Sequence, residues 1–152
     1  DFAALTLRHD WHVRFIELMP VGELRDLTDA HIVPTPEVVR RVESLGPLAP
    51  VDGPFGNGPA RYARLPGAKG TIGFITPMTH TFCDGCNRVR LTADGRLRTC
   101  LFGTHAVDLR GPLREGLPLA PLVRQALRDK PAAHELLQLR VGGLQALSQV
   151  GG

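Results

Sequence analysis

Three cysteines constrain this chain more than any other residues. Cys83 and Cys86 form a CxxC, and Cys100 follows after thirteen residues, in the segment FCDGCNRVRLTADGRLRTCLF. A CxxC sets two sulfurs on one tight turn, where they can share a metal centre. The stretch between reads as a β-hairpin: Arg88 to Thr92 goes out, Ala93-Asp94-Gly95 turns, and Arg96 to Thr99 returns. Side chains alternate across a strand, so Cys86, Arg88 and Arg90 share one face, as do Arg96, Arg98 and Cys100. For these faces to coincide, Cys100 must lie opposite Arg88 and Arg98 opposite Arg90. That register needs a three-residue loop with Gly95 in the left-handed conformation. A two-residue Asp94-Gly95 loop would put Cys100 opposite Val89, on the wrong face. Three thiols would then converge, leaving one coordination position open. Like charges facing each other at Arg90 and Arg98 are unfavourable unless an anion lies between them or they splay into water. A guanidinium fork suits phosphate, so the expected ligand is anionic.

The remaining composition excludes several classes. With 152 residues, 43% of them hydrophobic and 22% charged, the chain can bury the core of a globular domain. A net charge of +3 is a mild basic excess, far from the dense basic face of a nucleic-acid binder. No apolar run approaches the roughly 20 residues that span a bilayer, and the start carries no export signal. An odd number of cysteines reads better as reduced ligands in the cytoplasm than as secreted disulfides. Because the first residue is Asp1, the chain is expected to be a C-terminal portion of something longer.

Along the chain, Trp11 to Leu18 reads as a buried strand ended by Pro20-Val21-Gly22. Thr35 reads as a helix N-cap with Pro36 at the first helical position, and Gly46-Pro47 as the stop. Ala49 to Pro59, rich in Pro and Gly, is the linker candidate. Strands are expected at Ala60 to Leu65 and Thr71 to Ile75, and helices at Leu119 to Asp129 and Ala132 to Val141. Hairpins alternating with helices point to an α+β fold around a small antiparallel sheet.

From about Arg14 to Gly152 the chain resembles the GTP 3',8-cyclases (MoaA family) of molybdenum cofactor biosynthesis, which are radical S-adenosylmethionine lyases. The resemblance rests on RFIELMPVG, GPARYARLPGAKGTIGFITP, the cysteine segment with its NRVRLTADG, KPAAHEL and the terminal GG. It implies that residues 1–48 are the last strand and helix of a partial TIM-type barrel. Residues 49–152 would be a C-terminal domain with a small antiparallel sheet and helices. It further implies that Cys83, Cys86 and Cys100 hold a 4Fe-4S cluster whose open iron binds the guanine of GTP. Arg88, Val89 and Arg90 would contact GTP, with Arg14 a further basic residue of that pocket. Met19 would line the S-adenosylmethionine site, and Gly151 and Gly152 would be the tail that reaches the catalytic centre.

The resemblance implies that in the complete enzyme a 5'-deoxyadenosyl radical takes hydrogen from C3' of the ribose. The carbon radical then attacks C8, giving 3',8-cyclo-7,8-dihydro-GTP, which passes to the cyclic pyranopterin monophosphate synthase. The CxxxCxxC of the family's second 4Fe-4S cluster, which cleaves S-adenosylmethionine, does not occur here. The chain is therefore expected to bind substrate but to be inactive alone. No nucleic-acid or membrane partner is implied, and a homodimer is allowed for.

Simpler roles exist for the same residues. The three cysteines with His80 or His105 would make a closed structural zinc site, in a module that binds nucleotide or nucleic acid through its arginines. Arg88 and Arg90 could be a solvated strand face, and Arg14 could form a buried ion pair with Glu17 or another acid. Met19 could fill core, and the double glycine could be a frayed end.

Overall fold

The computed structural model describes residues 1–19, 31–52 and 56–134 of the chain. The fold is α+β, and its contacts divide the described residues into two units, 1–82 and 83–134.

The first unit opens with helix α1 (Phe2–Arg8) and strand β1 (His12–Ile16). Helix α2 (Thr35–Glu43) follows, then β2 (Ala49–Pro50), β3 (Arg61–Arg64) and β4 (Thr71–Ile75). The four strands form one sheet in the order β1-β4-β3-β2. The sheet is mixed rather than purely antiparallel: β1 runs parallel to β4, with Arg14 beside Gly73 and Phe15 beside Phe74. The division expected at residues 48 and 49 falls inside this sheet. Ala49 and Pro50 pair with Arg64 and Ala63, so the presumed linker begins as a strand. Edge position lets it do so, because an edge proline need not donate to a ladder.

Helix α2 starts one residue earlier than expected, with Pro34 rather than Thr35 as its cap. The Thr35 backbone N–H is instead taken by the Glu17 carboxylate at 3.1 Å. Val38, Val39 and Val42 recur at helical spacing and pack, with Phe15 and Leu48, against Ala3, Leu65, Ile72 and Phe74. Strand β1 is not fully buried, since Ile16 is 57% exposed and Trp11, just before the strand, is 53% exposed; it is an edge strand covered on one face. Gly70 lets the chain pass close to the end of β1. A Cβ there would stand 2.1 Å from the Trp11 carbonyl oxygen.

The second unit holds an antiparallel sheet of β5 (Arg90–Leu91), β6 (Arg96–Arg98) and β7 (Val107–Asp108). Helices α3 (Arg110–Arg114) and α4 (Ala120–Arg128) follow. The helix expected at Leu119 to Asp129 is thus present, with those two residues as its caps. Leu119, Leu122, Val123 and Ala126 line one face of α4 and pack on Leu97, Val107 and Leu109. The helix expected over 132–141 lies, beyond His134, outside the described residues, as do Gly151 and Gly152. Residues 132–134 are not helical. Among the described residues no helix is long and apolar enough to cross a membrane.

Candidate metal centre

The hairpin takes the three-residue loop. Arg90 pairs with Arg98 and Leu91 with Leu97, and Gly95 has a φ of +81°. Thr92 closes the loop: its N–H donates to the Arg96 carbonyl at 2.9 Å, and its hydroxyl accepts the Arg96 N–H at 3.0 Å and donates to Asp94. The ladder ends at Arg90 and Arg98, so Cys100 opposite Arg88 is where the register leads, just past the last pair.

The facing arginines separate by burial. Arg98 is 5% exposed and donates to the Gly103 carbonyl, which turns the chain back past Cys100. Arg90 is half-buried, and its guanidinium lies in the field of four groups. Burial and then the charge of Arg88 push its pKa down, Cys86 and Cys100 oppose this, and Arg98 adds to the lowering. The hairpin therefore brings Arg88, Arg90 and two of the thiols into one electrostatic neighbourhood. Val89, between the arginines, is 43% exposed.

The CxxC turn forms as its spacing requires. Cys83 to Gly85 make one turn of 3-10 helix, closed by the Cys86 N–H donating to the Cys83 carbonyl at 3.0 Å. All three cysteines are free and half-buried. The Cys86 thiol is held below the usual range. Burial pushes it up, but the Arg88 backbone N–H, the Lys130 ammonium and the Arg88 charge together outweigh it. Lys130 reaches back from beyond α4 and donates to the Cys86 carbonyl at 2.6 Å and the Arg88 carbonyl at 2.9 Å. It lies 3.4 Å from the Cys86 sulfur.

The chemistry of this donor set fits an iron–sulfur cluster: three reduced, partly buried thiols, one already biased toward thiolate, with N–H donors aimed at its sulfur. The convergence expected of the three sulfurs is not drawn tight, however. Among the described residues no group of three or more His, Cys, Asp or Glu is arranged to hold a metal ion. A hairpin fixes backbone register, while sulfur positions also depend on the side-chain rotamers of each cysteine. Neither His80 nor His105, both exposed, completes the closed zinc set.

Arg14 and Met19 belong to the first unit. Arg14 does not pair with Glu17. It is exposed, and its Nε donates to the Tyr62 hydroxyl at 2.7 Å, with the guanidinium carbon 5.6 Å from the Tyr62 ring centre. Residues 14 and 17 are an odd number apart on an extended segment and so point to opposite faces. Met19 is half-buried just past β1. Glu17, buried, accepts the backbone N–H groups of Met78 and Thr79 at 3.0 Å each, as well as the Thr79 hydroxyl. Sequence reasoning did not find Lys130, Tyr62 or this role of Glu17. The signal for Lys130 was the KP pair at the end of a helix; for Glu17 it was a lone acid ending an apolar strand.

Residues 11–136 match the family described as Molybdenum Cofactor Synthesis C. The chain is 46% identical over 154 residues to a GTP 3',8-cyclase of Pelotomaculum thermopropionicum, covering 99% of this chain and 47% of that protein. It is 45% identical over 157 residues to that of Moorella thermoacetica, covering 100% and 47%. With that of Desulforamulus reducens it shares 44% over 156 residues, covering 100% and 48%. The chain thus spans about half the length of the curated relatives it matches.

Proposed function

The chain belongs to the Molybdenum Cofactor Synthesis C family, and from that membership we propose that it is the substrate-binding half of a GTP 3',8-cyclase. In this reading residues 1–48 carry the end of a partial barrel, and Cys83, Cys86 and Cys100 hold a 4Fe-4S cluster. When bound, the cluster supplies an iron with one open position for a nitrogen or oxygen donor of the purine. The protein's own residues do the rest. Arg88 and Arg90 neutralise and orient the phosphates, and Val89 gives the exposed strand an apolar contact. Arg14, its Nε held by Tyr62, keeps its two terminal nitrogens for a further anionic group. Met19 lines the S-adenosylmethionine site, and Gly151 and Gly152 enter the cleft without side chains to clash. The thiols stay reduced in the cytoplasm.

The observation that carries this reading is the hairpin register. It places Arg90 in the combined field of Cys86, Cys100 and Arg88, so a metal-bound ligand there meets cationic partners at once. A closed zinc module needs no such arginines. The test is iron, sulfide and zinc content with an absorbance spectrum, after anaerobic reconstitution. The expected result is about four irons per chain and a broad band near about 400 nm that shifts on adding GTP. One tightly held zinc, no iron uptake and no response to GTP would overturn it.

A further inference from the structure

We propose that Lys130 is a positioning residue for the metal centre, one that holds the CxxC turn ready for iron and sets the charge felt at the Cys86 ligand. The inference rests on reading Cys83, Cys86 and Cys100 as iron ligands.

Lys130 follows α4, whose apolar face is fixed against Leu97 and Leu109. The start of its side chain is therefore set by the core of the second unit. Its ammonium has three protons, and the turn offers three acceptors: the Cys86 carbonyl, the Arg88 carbonyl and the Cys86 sulfur. Ordering a lysine this fully costs it rotamer freedom, which a surface lysine in water does not lose. The two carbonyl bonds hold the Cys86–Asn87 peptide and the Arg88–Val89 peptide, one on each side of the peptide that carries the Arg88 N–H. The Arg88 N–H is then directed at the Cys86 sulfur. A cluster held by three thiolates is anionic, and a cation against one of those sulfurs makes its reduction easier.

A plain staple between helix and turn would use the carbonyls alone and leave the cluster's electronic properties untouched. The sulfur contact distinguishes the two. The experiment compares the unaltered full chain with K130M, K130R and K130Q, each reconstituted anaerobically with iron and sulfide. Iron content, the rate of loss to a chelator, thermal melting and the midpoint potential are read for each.

K130M is expected to lose iron about tenfold faster and to reduce at a more negative potential. K130R, which keeps the charge, is expected to restore most of the potential. If K130M melts lower but keeps both its iron and its potential, Lys130 is a staple only and the proposal fails. Should K130M not fold, K130Q answers instead, since it keeps a donor for the carbonyls without the charge. A lowered potential supports the proposal and an unchanged one overturns it. Failure of the unaltered chain to take up iron overturns the ligand assignment itself.

Discussion

Glu17 collects donors from two separate segments, Thr35 at the start of α2 and Met78-Thr79 beyond β4. Burial would raise its pKa, but the Thr79 hydroxyl and the backbone N–H groups reverse this and hold it at about 2 against an ordinary 4.5. A carboxyl with a lowered folded-state pKa contributes stability that is complete above the unfolded value and is lost as pH falls through the folded one. The loss is on the order of 3 kcal/mol, developed between about pH 4.5 and 2. Urea melts across this range should show that decline, and E17Q should flatten it while lowering stability at neutral pH. At the candidate metal centre, Cys100→Ser is expected to abolish cluster retention as fully as Cys83→Ser, measured as iron per chain. Arg90→Ala should keep the cluster and weaken GTP binding about tenfold, as for loss of a charge-assisted pair of hydrogen bonds. Unchanged affinity in a titration would remove Arg90 from the phosphate role. The hairpin that carries the cysteines and both arginines was legible because chemistry-bearing residues stood at strand spacing. Lys130 and Tyr62 were not, because each acts on a partner more than forty residues away.

The cysteine hairpin was readable as an element because loop length and side-chain parity are linked. Only one loop put the cysteines on one face, and Gly95 adopts the conformation that loop requires. The four-stranded sheet was harder. Strand β4 follows from its apolar run and β3 from the turn at 66–70 that separates the two, but β2 hides in a Pro- and Gly-rich run. The parallel pairing of β1 with β4 joins segments too far apart for local signals. That pairing makes a prediction at Gly70, whose N–H donates to the Thr6 carbonyl at 2.9 Å as the chain enters β4. An alanine Cβ there would meet backbone oxygens of Trp11 and His9, atoms that cannot turn aside. Gly70→Ala is expected to cost about 3 kcal/mol or more by denaturant melting. A change below about 0.5 kcal/mol would mean that β1 and β4 do not meet as described.

For the molecule as a whole, composition bounded the fold class, and the motifs carried the family. The shift in composition at residue 49 falls within the four-stranded sheet, because β2 pairs with β3 there. Incubated with S-adenosylmethionine, GTP and a strong reductant, the reconstituted chain is expected to form no 5'-deoxyadenosine, since it lacks the CxxxCxxC. Product formation by this chain alone would mean that a single cluster serves both tasks. The reach of Lys130 back to Cys86 also has a consequence in time. The two residues are 44 apart in the chain, and at about 5–20 residues per second the ribosome needs several seconds to make that stretch. During that interval the nascent thiols are present but their clasp is not. If the cysteines are ligands as proposed, a clasped turn would be offered to metal only after Lys130 has been made, and the growing chain would present its thiols unclasped until then.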